Sequence, residues 1–397
     1  LTTLRDTEPD TRTPTGPRAE TTEDGLTVYH DAWPVEITDD WSPLLRFFGF
    51  NPEEFEVTGD VKVSKWQQSK GNDDGTRDVL WLYSYKARFA RRAVPLMDEN
   101  AMDERVAKAL RWKPRKTLGK ALGAPVAYFH QQGDEQTGKS AGDGIEGLIQ
   151  REYDCLQQSI DRLAYDMRRG YNVEAILDVA NGDRVENIQG HYASQPRTTA
   201  TLRRQIACAV DMDLARTEAF AAFDLPIVKV YTKSNHGELR PGLGMPAVTS
   251  ESDNLDLIVA EMVKRVIDRT PAADLIDWLI PHDEDWQTFE AAGVVCGVSH
   301  GHKVKGSGQG AVAKWVKDQR DLLLFHGDTR MRIAFLGHKH HWYSESVSGT
   351  SIIQTPSLDG GSQYYTSQSG NLDAHGIVTG YVGASEGPLG WSGLSVL

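Results

Sequence analysis

Cysteine is scarce: Cys155, Cys208 and Cys296 are the only three in 397 residues. The count is odd and no two stand at a metal-binding spacing. A disulfide framework and a cysteine-built zinc site are therefore excluded, and reduced core thiols of a cytoplasmic protein are expected. No stretch approaches the roughly 18 consecutive apolar residues of a membrane span, and no signal peptide is expected at the start. Basic residues are also short, with 43 Lys and Arg against 56 Asp and Glu, a net charge of −13 and pI ≈ 5.4. Such a balance argues against a protein that coats nucleic acid with a broad basic face, although a metal cluster beside a local basic strip still handles phosphates. Internal repeats are missing as well. What is present, 39% hydrophobic residues in a chain of this length, allows one large domain and a smaller one.

Residues 1–25 are polar and charged, and a flexible tail is expected because they bury too little to offset ordering entropy. Over 26–100 the aromatics gather. Trp41, Leu44, Leu45, Phe47, Phe48 and Phe50 suggest a short amphipathic helix ending near Gly49, and Val79 to Phe89 reads as a strand. A small α+β domain with an aromatic core is predicted there. Lys86, Arg88, Arg91 and Arg92 make it a nucleic-acid-reading or docking module, or simply a charged sheet edge. A helical, basic linker follows over 101–122, carrying Arg111, Lys113, Arg115, Lys116 and Lys120.

From 123 to 397 strands and helices alternate. Strands are expected at 125–129, 175–180, 226–231, 294–298, before Gly337, at 350–354, 377–382 and 394–397. Helices are expected at 145–168, 198–222, 253–269 (capped by Ser252 or Asp253) and near 310–319. This pattern implies a layered α/β domain whose ligands sit at the carboxyl ends of the strands.

Five segments leave such strand ends. They are Asp134-Glu135-Gln136-Thr137-Gly138-Lys139, Asn181-Gly182-Asp183-Arg184-Val185-Glu186-Asn187, Ser234-Asn235-His236-Gly237-Glu238, Ser299-His300-Gly301-His302, and Gly337-His338-Lys339-His340. Singly each reads as turn formers and caps. Together they bring carboxylate, amide and imidazole to one side of a sheet, a mixture that suits two borderline divalent ions. Asp183 has two carboxylate oxygens and can bridge both. Such a pair activates water and clamps an in-line displacement at phosphorus.

The motif order D-x-(H/Q), G-D-x-x-(D/E), N-H, H, G-H-x-H resembles the calcineurin-like metallophosphoesterase superfamily, including its Mre11-type nucleases. The Asp134 to Lys139 opening, Gly142 to Gly147 and the late Leu358-Asp359-Gly360-Gly361-Ser362 are similar to a branch common in actinobacterial viruses. The resemblance implies a four-layer metallophosphoesterase-type β-sandwich flanked by helices, beside the small α+β N-terminal domain. It implies that Asp134, Gln136, Asp183 and His340 hold one metal, and that Asp183, Asn235, His300 and His338 hold the other. His236 then protonates the leaving oxygen in hydrolysis of a phosphate ester by metal-bound hydroxide. Manganese is favoured for both ions, with iron, zinc, nickel or magnesium as alternatives.

This chain departs from the pattern in three places. Gln136 stands where His is usual, and Ser234 stands where Gly is usual. Gly237 intervenes where an acidic partner for His236 normally follows, which leaves Glu238 as the candidate orienting group. The fourth motif is ambiguous among His300, His302 and His326-Gly327-Asp328. His300 leaves the strand first and is chosen, with His302 facing substrate or supporting a ligand. Glu186 and Asn187 support a ligand histidine or cap a helix, and Arg184 and Lys139 touch phosphate or are structural. Asp359 reads as a turn residue, and Trp342, Tyr364 and Tyr365 as cleft rim or packing. The substrate expected is DNA, with a nucleotide or small-molecule phosphoester as the alternative and a degenerate-site scaffold as another. No membrane partner is expected. The N-terminal domain is the expected contact for a second copy or an accessory protein, in the cytoplasm, or the host's if the source is viral.

Overall fold

The computed structural model describes residues 17–22, 25–34, 36–52, 55–71, 77–91, 121–140, 143–188, 198, 200–240, 245, 250–306, 308–325, 330–361 and 375–397. The basic cluster expected at Arg111 to Lys120, His326-Gly327-Asp328, Tyr364 and Tyr365 lie outside these residues. The chain divides into two compact units, Leu1–Leu96 and Met97–Leu397.

In the first unit, strands β1 (Arg18–Thr22), β2 (Gly25–Trp33), β3 (Phe55–Gly71) and β4 (Arg77–Arg91) form an antiparallel sheet in the order β1-β2-β4-β3. Of the tail expected over 1–25, residues 1–16 lie outside the described residues, and the expectation of flexibility is corrected for 18–22. Residues 18–22 pair with β2, Arg18 opposite Tyr29 and Glu20 opposite Thr27, so backbone pairing orders a segment with few apolar side chains. Helix α1 (Ser42–Phe47) turns out of its last residues through Gly49, whose φ of +79° suits glycine. Leu26, Val28, Leu44, Leu45, Phe55, Tyr83, Tyr85, Ala87 and Phe89 make the core. Along β4 the alternation is clean, with Tyr85, Ala87 and Phe89 inward and Lys86 and Arg88 outward.

The second unit holds two sheets. One runs β15 (Trp391–Val396), β14 (Val378–Val382), β5 (Leu122–Gln132), β6 (Tyr171–Ala180), β7 (Ile227–Tyr231), β8 (Ile276–Leu279). The other runs β12 (Tyr343–Val347), β13 (Thr350–Gln354), β11 (Ile333–Leu336), β10 (Val294–Val298), β9 (Gln287–Ala291). The central strands β5 to β8 are parallel, as are β10, β11 and β13, while the outer strands β9, β12, β14 and β15 are antiparallel to their neighbours. Parallel strands are covered on both faces, which explains unbroken apolar runs such as Phe335-Leu336 and Ile352-Ile353.

One apolar cluster joins the sheets: Ala127, Phe129, Leu177 and Val230 from the first meet Cys296, Val298, Phe335 and Ile353 from the second. Phe129 and Phe335 stand edge to face at 5.2 Å, and burying such a ring contributes roughly 1.5–3 kcal/mol. Trp342, a candidate for the cleft rim, packs against this cluster. On its other face the six-stranded sheet is covered by helices α2 (Gly144–Arg168), α3 (Leu202–Ala221) and α4 (Leu255–Ile267). Helix α5 (Gln309–Phe325) packs Val312 and Val316 on Ala334 and Ile352 of the five-stranded sheet and on Met331 just before it. Leu148, Cys155, Leu156, Leu163 and Met167 of α2 recur at helical spacing on the buried side. The cap expected at Ser252 or Asp253 is instead Asn254, whose side chain accepts from the Asp256 amide. Helix α4 therefore begins at Leu255, with Asp256 in its first turn. The three cysteines are free thiols, two buried and Cys208 half-buried.

Candidate metal centre

All five segments leave the carboxyl ends of β5, β6, β7, β10 and β11, so the topology alone brings them to one end of the two sheets. Local backbone shape does the rest. Among the described residues, nine that are not glycine have positive φ, and six of them are Asp134, Gln136, Asp183, Asn187, His338 and His340. Each costs of order 1–3 kcal/mol where the surroundings hold it, and such strain gathers at functional sites. Gly182, at φ +86°, is needed as glycine, because a Cβ there would lie 2.9 Å from that of Ser234 and 3.1 Å from His300 Nδ1.

The side chains converge in two groups that share one residue. Asp183, His300 and His338 bring ligand atoms within 4.8 Å of one another, and so do Asp134, Asp183 and His340. His300 Nε2 lies 3.2 Å from Asp183 Oδ2 and 3.1 Å from Asn235 Oδ1. His340 Nε2 lies 3.2 Å from Asp134 Oδ1. The ring of His300 is set from behind: Nδ1 donates to the Asn181 carbonyl at 2.6 Å, which turns Nε2 toward the carboxylate. Asn181 is pinned in turn by Gln131 and by the carbonyls of Ser299 and Phe335. Asp134 Oδ2 accepts from the His338 amide at 2.8 Å, tying the first motif to the last.

Two buried oxygens aimed into this space, Asp134 Oδ1 and Asp183 Oδ2, have no hydrogen-bond partner, and neither has the buried Gln136 Oε1. Buried carboxylate oxygens without donors, facing imidazole nitrogens, fit divalent cations. The proton balance agrees. Burial disfavours a charge on His340, yet Asp134 and Asp359 push it up to about 10, and Asp183 and Glu186 push buried His236 up to about 9. Asp183 is itself held well below the carboxylate range by His300 and His236, against the effect of burial. These carboxylates demand positive charge close by, which an imidazolium or a metal ion supplies. Burial and the nearby His300 push His338 and His302 down to about 2, so both rings are neutral. For Gln136 the amide nitrogen, not the oxygen, faces His236 at 3.2 Å and His340 at 3.4 Å; ligation through Oε1 requires the amide turned over.

The remaining candidates take definite places. His236 Nδ1 lies 3.4 Å from Glu186 Oε2 and Nε2 lies 3.9 Å from Asp183 Oδ2. The orienting partner expected at Glu238 is thus Glu186, while Glu238 pairs with Arg240. Glycine at 237 has a steric reason: a Cβ there would lie 2.1 Å from Asn254 Oδ1. Asn187 donates to the carbonyls of His236 at 2.8 Å and Glu238 at 3.1 Å, so it holds that turn. His302 stands beside the group, its Nε2 4.0 Å from both Glu238 Oε1 and Asp285 Oδ1, and its Nδ1 without a hydrogen-bond partner. Arg184 points away from solvent. It is buried, paired with Glu135 at 3.1 Å and Asp213 at 2.6 Å. Lys139 pairs with Asp359.

One residue that sequence reasoning passed over is Asp256. Its carboxylate accepts from the amides of Asp183 at 3.2 Å and Arg184 at 2.9 Å and from the Ser234 hydroxyl. It links the β6 and β7 loops, and it gives the Ser234 hydroxyl a partner. Its signal was only its place, two residues past the cap of a helix that follows a ligand loop.

No protein-family model matches the chain, and no curated protein matches it. Among solved structures it is similar to a novel archaeal phosphodiesterase, 11% identical with TM-score 0.32, over 68% of this chain and 99% of that one. Vps29 complexed with zinc from Entamoeba histolytica is 11% identical with TM-score 0.30, over 65% of this chain and 87% of the other. A predicted phosphoesterase from Streptococcus pneumoniae is 12% identical with TM-score 0.26, over 66% and 85%. Scores and identities this low support neither a family nor a function.

Proposed function

We propose that the chain is a two-metal phosphoesterase of the calcineurin-like kind, built as a four-layer sandwich, and that it cleaves nucleic-acid phosphodiesters. The observation that carries the reading is Asp183, shared between two ligand groups whose outer members are His300 and His338 on one side and Asp134 and His340 on the other. Asp134, Gln136, Asp183 and His340 would hold one ion, and Asp183, Asn235, His300 and His338 the other. Bound there, two divalent ions supply a net positive charge against two carboxylates, which draws in a phosphoryl group and makes water reactive at neutral pH.

The chain's own residues do the rest. His236 has one ring nitrogen toward Glu186 and the other toward the shared carboxylate, so it can deliver a proton to a leaving oxygen at the rim of the group. Glu186 fixes the ring in the orientation that delivery needs.

The nucleic-acid substrate is supported by the first unit. Paired residues on one side of its sheet form a cross-strand row, Arg18, Tyr29, Lys86 and Lys62, with Arg88 on the same side. Arg18 lies 3.8 Å and Lys86 5.0 Å from the centre of the Tyr29 ring. Cations beside an aromatic on an open face suit phosphates and bases. The net charge of −13 favours the second reading, a nucleotide or small-molecule phosphoester. Hydrolysis of single- and double-stranded DNA beside bis-p-nitrophenyl phosphate, with Mn²⁺ and then with Fe²⁺, Zn²⁺, Ni²⁺ or Mg²⁺, separates them. Cleavage of DNA supports the nuclease, and diester activity with inert DNA removes it.

A further inference from the structure

We propose that Asp359 is a positioning residue for one of the two ligand groups: it fixes the ring of His340 and ties it to Asp134. This rests on the two-metal reading and adds a residue outside the seven ligands.

The geometry is local and closed. His340 presents Nε2 to Asp134 Oδ1 at 3.2 Å and Nδ1 to Asp359 Oδ2 at 3.5 Å. An ionised carboxylate only accepts, so Nδ1 keeps its hydrogen and Nε2 is left as the ligating atom. The carboxylate is itself fixed. Oδ1 accepts from the Gly361 amide at 2.7 Å, and Oδ2 pairs with Lys139. The Asp359 amide donates to Ser357 Oγ at 3.0 Å, and that hydroxyl donates to the Asp134 carbonyl at 3.0 Å. One turn, 357–361, therefore holds the ring of one ligand and the backbone of another. His340 needs such support because its φ of 58° is unfavourable for a residue with a side chain. The other group is supported elsewhere: His300 leans on the Asn181 carbonyl. Asp359 should thus act on one ion and not on both. A turn residue that merely neutralises Lys139 has no reason to discriminate between them.

The test is Mn²⁺ titration of the full chain by calorimetry, with metal content measured on the same samples and thermal unfolding measured in chelator. The wild-type chain is expected to bind two ions. Asp359→Asn keeps an acceptor for Nδ1–H but loses the charge, and should weaken one ion about 10- to 100-fold while leaving the other unchanged. Asp359→Ala should weaken the same ion further. In a His340→Ala background, Asp359→Asn should have no added effect on metal binding, because the residue works through that ring. Wild-type affinities in Asp359→Asn overturn the proposal. So does equal loss of both ions with a lower melting temperature in chelator, or full additivity with His340→Ala. A wild-type chain that binds no Mn²⁺ instead sinks the two-metal reading, and this proposal with it.

Discussion

Glu186 Oε2 lies 3.4 Å from His236 Nδ1, and the Glu186 carbonyl lies 3.3 Å from the same atom. Both partners are acceptors, so Nδ1 carries a hydrogen and the ring plane is fixed from one side. His236→Ala is expected to lower kcat by about 10²- to 10⁴-fold, the range of a general acid. Metal content should stay near wild type, since His236 belongs to neither ligand group. Glu186→Gln should show a smaller loss of kcat, with KM little changed. Steady-state kinetics with elemental analysis decides: loss of both metals in His236→Ala sinks the assignment of the acid.

Asp183 is the one residue common to both ligand groups. Asp183→Asn removes a charge from the position the two groups share and leaves an amide that offers a single oxygen. Turnover is expected to vanish and both ions to be lost together, whereas His338→Ala or His340→Ala should spare one. A chain that holds two equivalents of metal as Asp183→Asn would overturn the bridging role. A wild-type chain free of metal that still bound a protein partner tightly would favour the scaffold alternative.

Strand ends were legible because each ligand segment follows an apolar run that a parallel, doubly covered strand requires, as in Val294 to Val298 or Ile333 to Leu336. Strands β9 and β12 were not, since Gln287 to Ala291 and Tyr343 to Val347 are outer strands, half-buried or exposed except at Ala291, with no unbroken apolar run. Strand β1 was missed for the same reason, its order coming from backbone pairing. Around the site, spacing along a strand exit revealed candidate ligands. Support came from elsewhere in the chain: Asp256 and Asp359 act across 73 and 220 residues of sequence on Asp183 and Lys139. Proximity of that kind leaves no local pattern. Arg184 shows the converse, since a cation next to a candidate ligand invites a phosphate-binding role and the fold buries it between Glu135 and Asp213.

That burial makes Arg184 a stability residue. Its guanidinium is 1% exposed and bridges Glu135 at 3.1 Å and Asp213 at 2.6 Å. Removing one partner of a buried pair typically costs 3–5 kcal/mol. Arg184→Met should fall near the low end, about 3 kcal/mol, because Asp213 keeps Lys229 at 2.7 Å and Arg216 at 3.2 Å. Urea unfolding measures the loss. An effect confined to KM, with unchanged stability, would return Arg184 to the substrate.

Acid should find the same network. Burial alone would raise the pKa of Asp213, but Lys229, Arg184 and Arg216 around it hold it well below the ordinary carboxylate value, and Arg216 and Lys229 lower Asp178 likewise. A carboxyl whose pKa is depressed in the folded state stabilises the fold above its unfolded value, about 3.9, and loses that contribution as pH falls below it. Each pH unit below about 3.9 therefore removes up to roughly 1.4 kcal/mol per such carboxylate until the folded-state pKa is reached. Urea midpoints taken from pH 7 down to pH 2 should stay level for this pair to about pH 4 and then drop. Asp213→Asn lowers the plateau but cannot protonate, so its curve should fall less steeply over the acid range. Parallel curves for wild type and Asp213→Asn below pH 4 would show that acid unfolding starts at other carboxylates.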